Sequence, residues 1–234
     1  KLITEREHEI ELFNPEEFWT LSINFNDNNK NSLLSSIVQL DDQKIEKFSF
    51  KNKDEVDKAI QKIKSKKFEI TDISSKVISR NPSGPFTTST LQQVSSSKLD
   101  FGASRTMQIA QKLYQGIEID GETIGLITYM RTDGTNLSSD AISTFRDYIK
   151  NIFGNAYLPE NPLNYSGKKA KNAQEAHEAI RPTDIMRAPA TLKKYLSPDQ
   201  HKLYDLIWSR ALSSQMESAK FDRNTITITS IDNK

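Results

Sequence analysis

The sequence predicts an α+β protein in which a mainly helical domain is inserted into a β-rich one. Two strand-like stretches lie far apart in the chain: Trp19, Leu21, Ile23 and Phe25 alternate with Thr20, Ser22 and Asn24, and Asn224 to Ile231 alternates again at the far end. Between them apolar residues recur at helical spacing, as Ile142, Phe145, Ile149 and Ile152 do. At the junction, Asn81-Pro82-Ser83-Gly84-Pro85 sets two prolines and a glycine in one short run, through which neither a helix nor a central strand continues. The expected division is a helical stub at 1–14, a β-rich domain from 15–80 and 218–234, and a helical domain over 81–217.

Residues 2–12 read as the tail of a helix, with Leu2, Ile3, Ile10 and the following Phe13 as its sizeable apolar groups, broken by Asn14 and Pro15. Phe18 to Phe25 is a strand with one apolar face, 26–31 a turn, and 32–40 and 44–50 further strands. At 53–66 the period changes, and Val56, Ile60 and Ile63 share a helical face before 68–78 returns to a strand pattern. Thr87 to Thr90 open a helix reaching about Leu99, and their hydroxyls fit either plain caps or phosphate contacts. The next helix starts at Ser104 and is expected to bury Met107, Ala110, Leu113 and Tyr114, with 117–125 a loop. A helix then spans about 139–152, and 154–173 is loop-like with Lys168, Lys169 and Lys171. Ser197-Pro198-Asp199-Gln200 combines an N-cap, a proline at the first helical position and a glutamine at the third, ahead of Leu203, Leu206, Ile207, Ala211 and Ser214 on a buried face.

At 234 residues and 35% hydrophobic content the chain is long enough for one large or two modest cores. No apolar run approaches the ~18 residues of a membrane span, and the charged N-terminus has no signal-peptide pattern; its start inside an amphipathic pattern reads as a fragment. The absence of cysteine excludes disulfides and thiolate metal sites and agrees with a reducing, cytoplasmic setting. A net charge of +1 hides an asymmetry. Lys76, Arg80, Lys98, Arg105 and Lys112 face only Asp100 over 76–115, whereas 1–25 is acidic; a basic stretch of this kind fits a polyanion or a solvated helix face.

The chemistry concentrates in Leu126 to Ser138. If Thr128 to Asp133 is extended, Tyr129, Arg131 and Asp133 share one face, and Ser138 caps a helix whose free N–H groups favour an anion. A phenol, a guanidinium and a helix start suit attack of a tyrosine oxygen on a phosphodiester. A free phenol is roughly one part in a thousand ionised at pH 7, a handicap of about 4 kcal/mol that a neighbouring cation offsets in part. The same spacing also fits a strand face on which the Tyr129 hydroxyl is tied to Asp133. His177-Glu178 lacks the second histidine of a zinc helix, since Arg181 stands there, so no metal ligands are assigned.

Ile-Thr-Tyr-Met-Arg-Thr-Asp with Thr-Asn-Leu-Ser, over 127–138, resembles the active-site signature of the bacterial type IA DNA topoisomerase family. Three more stretches are similar to that family in the same order: Pro-Phe-Thr-Thr-Ser-Thr-Leu-Gln-Gln at 85–93, Ala-Gln-Lys-Leu-Tyr at 110–114, and Gln-Glu-Ala-His-Glu-Ala-Ile-Arg-Pro at 174–182. Gly134 departs from the serine usual there. The resemblance implies a β-rich arch carrying a helical tyrosine domain, with Tyr129 as nucleophile, Arg131 as its catalytic partner, and Arg131, Asp133, His177 and Arg181 contacting DNA. It implies a monomer acting on single-stranded or negatively supercoiled DNA in the bacterial cytoplasm at the nucleoid, without ATP and away from membranes. It also implies Mg2+ bound by an acidic domain outside this segment, leaving the segment alone inactive. Other readings are a non-catalytic scaffold for single-stranded DNA and a different tyrosine-based strand transferase.

Overall fold

The computed structural model describes residues 1–26, 30–165 and 178–231. In chain order its elements are α1 (Leu2–Glu11), β1 (Ser22–Asn26), β2 (Ser32–Ser36), β3 (Gln39–Leu40), β4 (Gln43–Lys44), α2 (Lys53–Lys64) and β5 (Lys67–Arg80). They continue with α3 (Thr88–Leu99), α4 (Ala103–Gln115), β6 (Ile117–Ile119), β7 (Glu122–Ile124), α5 (Ser139–Ile152), a 3-10 turn at Asn155–Tyr157, α6 (Pro189–Leu192), α7 (Pro198–Ser213) and β8 (Ala219–Ile231). Helices and two-stranded sheets thus alternate in an α+β fold. The chain divides into two compact units, Lys1–Ser75 with Asn224–Lys234, and Lys76–Arg223.

In the first unit β1 pairs antiparallel with β2, with Asn24 opposite Leu34, and β3 forms a tight hairpin with β4. Asp41 and Asp42, both at positive φ, make the two-residue turn of that hairpin. The strand expected over 18–25 begins only at Ser22: the Leu21 carbonyl still accepts from the Ile37 N–H, but the Trp19 N–H turns to the Phe50 carbonyl, and Trp19 and Leu21 pack with Ile37, Leu40, Ile45 and Ile60 around Phe50, Val56 and Ala59. The strand expected over 44–50 stops at Lys44: the Glu46 N–H donates to Ser49 Oγ and the Ser49 N–H to the Glu46 carbonyl, which closes a turn. Helix α2 is capped by Asn52, whose side chain accepts from the Glu55 N–H.

The second unit is built on α3, α4 and α7. Leu91, Ile109, Leu113, Leu203, Tyr204 and Ile207 meet in its main core, which Phe86, Leu126, Ile127, Met130 and Ile180 extend. A smaller core joins Phe145 and Ile149 of α5 to Ile185, Ala211 and Leu212. Capping fixes where the helices begin: Thr87 with Thr90, and Ser197 with Gln200, form reciprocal capping boxes, and Ser138 accepts from the Ala141 N–H. Ile152 and Tyr114 are exposed, against expectation, since each stands in the last turn of its helix beyond the packed stripe. The expected loop at 117–125 is the hairpin of β6 and β7, turned by Asp120 and Gly121 at positive φ. No helix among the described residues is long and apolar enough to cross a membrane.

Candidate active site

The segment carrying Tyr129 is held by its neighbours rather than by a sheet. Ile127 makes a single bridge to Pro182, and beyond it the backbone bends instead of continuing as a ladder strand. Exposure nevertheless alternates as an extended chain requires: Tyr129 is 50% exposed and Arg131 and Asp133 are exposed, while Met130 and Thr132 are buried at 1% and 8%.

Two threonines produce this. Thr88, at the start of α3, donates its N–H to the Thr132 carbonyl at 2.8 Å. Its hydroxyl accepts from the Thr132 N–H at 2.8 Å and has the Met130 and Thr132 carbonyls within donating reach, at 2.8 and 3.1 Å. An N–H left without an intrahelical partner in the first turn of α3 thereby holds the peptide unit after Thr132, while the Thr88 hydroxyl contacts the peptide units on either side of Arg131. On the other flank, the Thr128 N–H donates to the Arg181 carbonyl at 2.9 Å. The Thr128 hydroxyl donates to the Ala179 carbonyl at 2.7 Å and accepts from the Arg181 N–H at 3.0 Å. The alternation was legible in the sequence. The threonine clamps were not, although Thr88 lies in a hydroxyl run already noted for caps and phosphates.

Tyr129 meets the ring of Tyr114 edge to face, centroids 5.3 Å apart. Among the described residues nothing hydrogen-bonds the Tyr129 hydroxyl, and Arg131 and Asp133 form neither an ion pair with each other nor any other hydrogen bond. The tie between Tyr129 and Asp133 that a plain strand face would make is therefore not formed. A phenol and a guanidinium stand exposed on one face of a clamped backbone, open to a ligand.

Arg181 lies differently. Its side chain is 15% exposed and grips Glu178, Nε to Oε1 at 2.7 Å and Nη2 to Oε2 at 3.1 Å, while Nη1 donates to the Pro182 carbonyl at 2.9 Å. Its fork is committed to the protein, so Arg181 shapes the segment instead of reaching into solvent. Glu178 Oε1 also accepts from the Ser138 N–H at 3.0 Å, so the anion at the start of α5 is the protein's own carboxylate. Burial pushes the Glu178 carboxyl up, but the hydrogen bonds from Arg181 and Ser138 outweigh it and hold the group below the usual carboxylate range. His177 lies outside the described residues, as do Lys168, Lys169 and Lys171.

The described residues do not fit a divalent metal. Among the described residues no three His, Asp or Glu side chains gather as such an ion requires. Both Glu178 oxygens accept hydrogen bonds, and among the described residues Asp133 has no ion-pair or hydrogen-bond partner.

The family model described as DNA topoisomerase matches residues 1–234. The chain is 49% identical over 222 residues to "DNA topoisomerase 1" of Rickettsia felis, covering 95% of this chain and 28% of that protein. It is 45% identical over 232 residues to "DNA topoisomerase 1" of Haemophilus influenzae, covering 99% of this chain and 25% of that one. Full-length topoisomerase I from Thermotoga maritima superposes with a TM-score of 0.72 at 36% identity, over 97% of this chain and 34% of that structure. The chain spans between a quarter and a third of the length of these relatives, and it belongs to the bacterial DNA topoisomerase family, as a segment of the type IA topoisomerase I.

Proposed function

We propose that this chain supplies the nucleophile segment of an enzyme that cuts and reseals one DNA strand through a 5'-phosphotyrosine link, relaxing negatively supercoiled DNA. The observation that carries the reading is the pairing of an exposed Tyr129 with an exposed Arg131 on a backbone pinned by Thr88 and Thr128. Tyr129 Oη attacks phosphorus as the bond from phosphorus to the 3' oxygen breaks. The phenol gives up its proton and the departing 3' oxygen gains one. Arg131 holds two phosphate oxygens in its planar fork and stabilises the charge that builds up on them, an effect of ~3 kcal/mol in comparable oxyanion sites. Pinning matters because a misplaced fork loses that gain.

The link is one phosphodiester exchanged for another, so the freed 3' hydroxyl reverses it and no ATP is consumed. Asp133 and His177 stand on the DNA side of the reading, with His177 contacting phosphate or relaying a proton. Arg181 acts through Glu178, by holding the segment against which Thr128 packs. Mg2+ would be held by residues outside this chain, and no step above passes through it. The expected substrate is single-stranded or negatively supercoiled DNA, bound by a monomer in the bacterial cytoplasm at the nucleoid. Tyr129→Phe in the full-length protein tests the reading: the covalent DNA adduct disappears on a denaturing gel while DNA binding is retained. A normal adduct with the Phe variant would refute it.

A further inference from the structure

We propose that Tyr114 is a positioning residue that sets the orientation of the Tyr129 ring before substrate arrives; this rests on Tyr129 being the nucleophile. The two rings meet at 65° between planes with centroids 5.3 Å apart. Tyr114 is 41% exposed and Tyr129 50%, so filling the core does not explain the contact. Thr88 and Thr128 fix the backbone on both sides of Tyr129, yet a fixed backbone still leaves the side chain its staggered wells. With no hydrogen bond to the Tyr129 hydroxyl among the described residues, the Tyr114 ring is a contact that can distinguish one well from another.

Tyr114 is itself well placed for this. It stands in the last turn of α4, where the Leu126 N–H donates to the Leu113 carbonyl at 2.8 Å. Gly125 lies so close to the same turn that a Cβ there would sit 2.7 Å from the Tyr114 carbonyl oxygen. The end of α4 and the start of the Tyr129 segment therefore hold a fixed distance, and the ring contact carries that register out to the phenol. An edge-to-face pair favours one orientation by about 2- to 12-fold, which bounds the effect on rate.

Two measurements decide it. In this chain, labelled with carbon-13 on its tyrosine rings, the Tyr129 signals are identified by their loss in Tyr129→Phe. Tyr114→Leu should move them and Tyr114→Phe should leave them nearly in place. In the full-length protein, single-turnover adduct formation should fall about 2- to 12-fold in Tyr114→Leu, stay within about twofold in Tyr114→Phe, and leave affinity for a single-stranded oligonucleotide unchanged. Unmoved Tyr129 signals, or unchanged cleavage in Tyr114→Leu, would overturn the inference. Equal losses of affinity and cleavage would overturn it too, by making Tyr114 a platform on which a base stacks. An adduct persisting in Tyr129→Phe would instead remove the nucleophile reading, while the ring signals would still report whether the two tyrosines are coupled.

Discussion

Thr88→Val removes one hydroxyl and changes almost nothing else in shape, which makes it the sharpest perturbation of the clamp. The Thr132 N–H is buried and has the Thr88 hydroxyl, 2.8 Å away, as its partner. Valine leaves that donor unsatisfied, at about 1–3 kcal/mol, and also deletes the hydroxyl's bond to a carbonyl, about 1 kcal/mol more. The Thr88 N–H to the Thr132 carbonyl survives, because it is backbone. The expected loss is about 2–4 kcal/mol, which for a unit the size of Lys76–Arg223 lowers the melting temperature by about 4–16 °C. Urea denaturation of the chain gives the energy, and hydrogen exchange at the Thr132 amide gives the location. Thr88→Ser keeps the hydroxyl and should recover most of the loss. A valine variant within ~0.5 kcal/mol of the parent, with Thr132 exchange unchanged, would show that the clamp holds nothing.

Three further predictions concern charge and chemistry. The Glu178 carboxyl is held below its ordinary value by Arg181 and Ser138 against the opposing effect of burial, so its contribution is present above the unfolded carboxyl value of ~4.3 and is lost as pH falls through the folded value. The stability gap between the parent and Glu178→Gln, about 1–2 kcal/mol near neutrality given the partial exposure, should therefore shrink below about pH 4; a gap constant from pH 3 to 7 would contradict it. Arg131→Lys in the full-length protein keeps the charge and loses the fork, so single-turnover cleavage should drop roughly 100-fold while single-strand affinity changes little. Equal losses in both would make Arg131 a docking residue. The chain alone, with or without magnesium, should neither nick nor relax supercoiled DNA in a gel assay, and magnesium-dependent nicking would overturn that.

Local signals in the sequence carried the helices well. Ser197-Pro198-Asp199-Gln200 and Thr87 with Thr90 are caps whose reciprocal bonds form within four residues, so the chain near them is enough to read them. The alternation at Tyr129, Met130, Arg131 and Thr132 was also readable, since it needs only an extended backbone and one buried face. The site's supports were not. Thr88 reaches Thr132 across 44 positions and Thr128 reaches Ala179 across 51, through side-chain to backbone bonds between irregular segments that leave no period in the sequence. The hairpin at 117–124, expected as a loop, carries a local signal of its own: Asp120-Gly121 between Ile-Glu-Ile and Glu-Thr-Ile is a two-residue turn, set among other glycines that blur it. Arg181 shows a different limit, because composition marks it as a cation and only the fold commits it to Glu178.

In the proposed mechanism Tyr129 Oη becomes covalently joined to DNA. Cleavage by the full-length protein on a single-stranded oligonucleotide, trapped with denaturant and digested with protease and nuclease, leaves one modified peptide for mass spectrometry. This peptide should contain Tyr129, its phosphate should be the 5' phosphate of the downstream fragment, and the upstream fragment should end in a free 3' hydroxyl. A nucleotide joined to any other residue, or attached through a 3' phosphate, would contradict it.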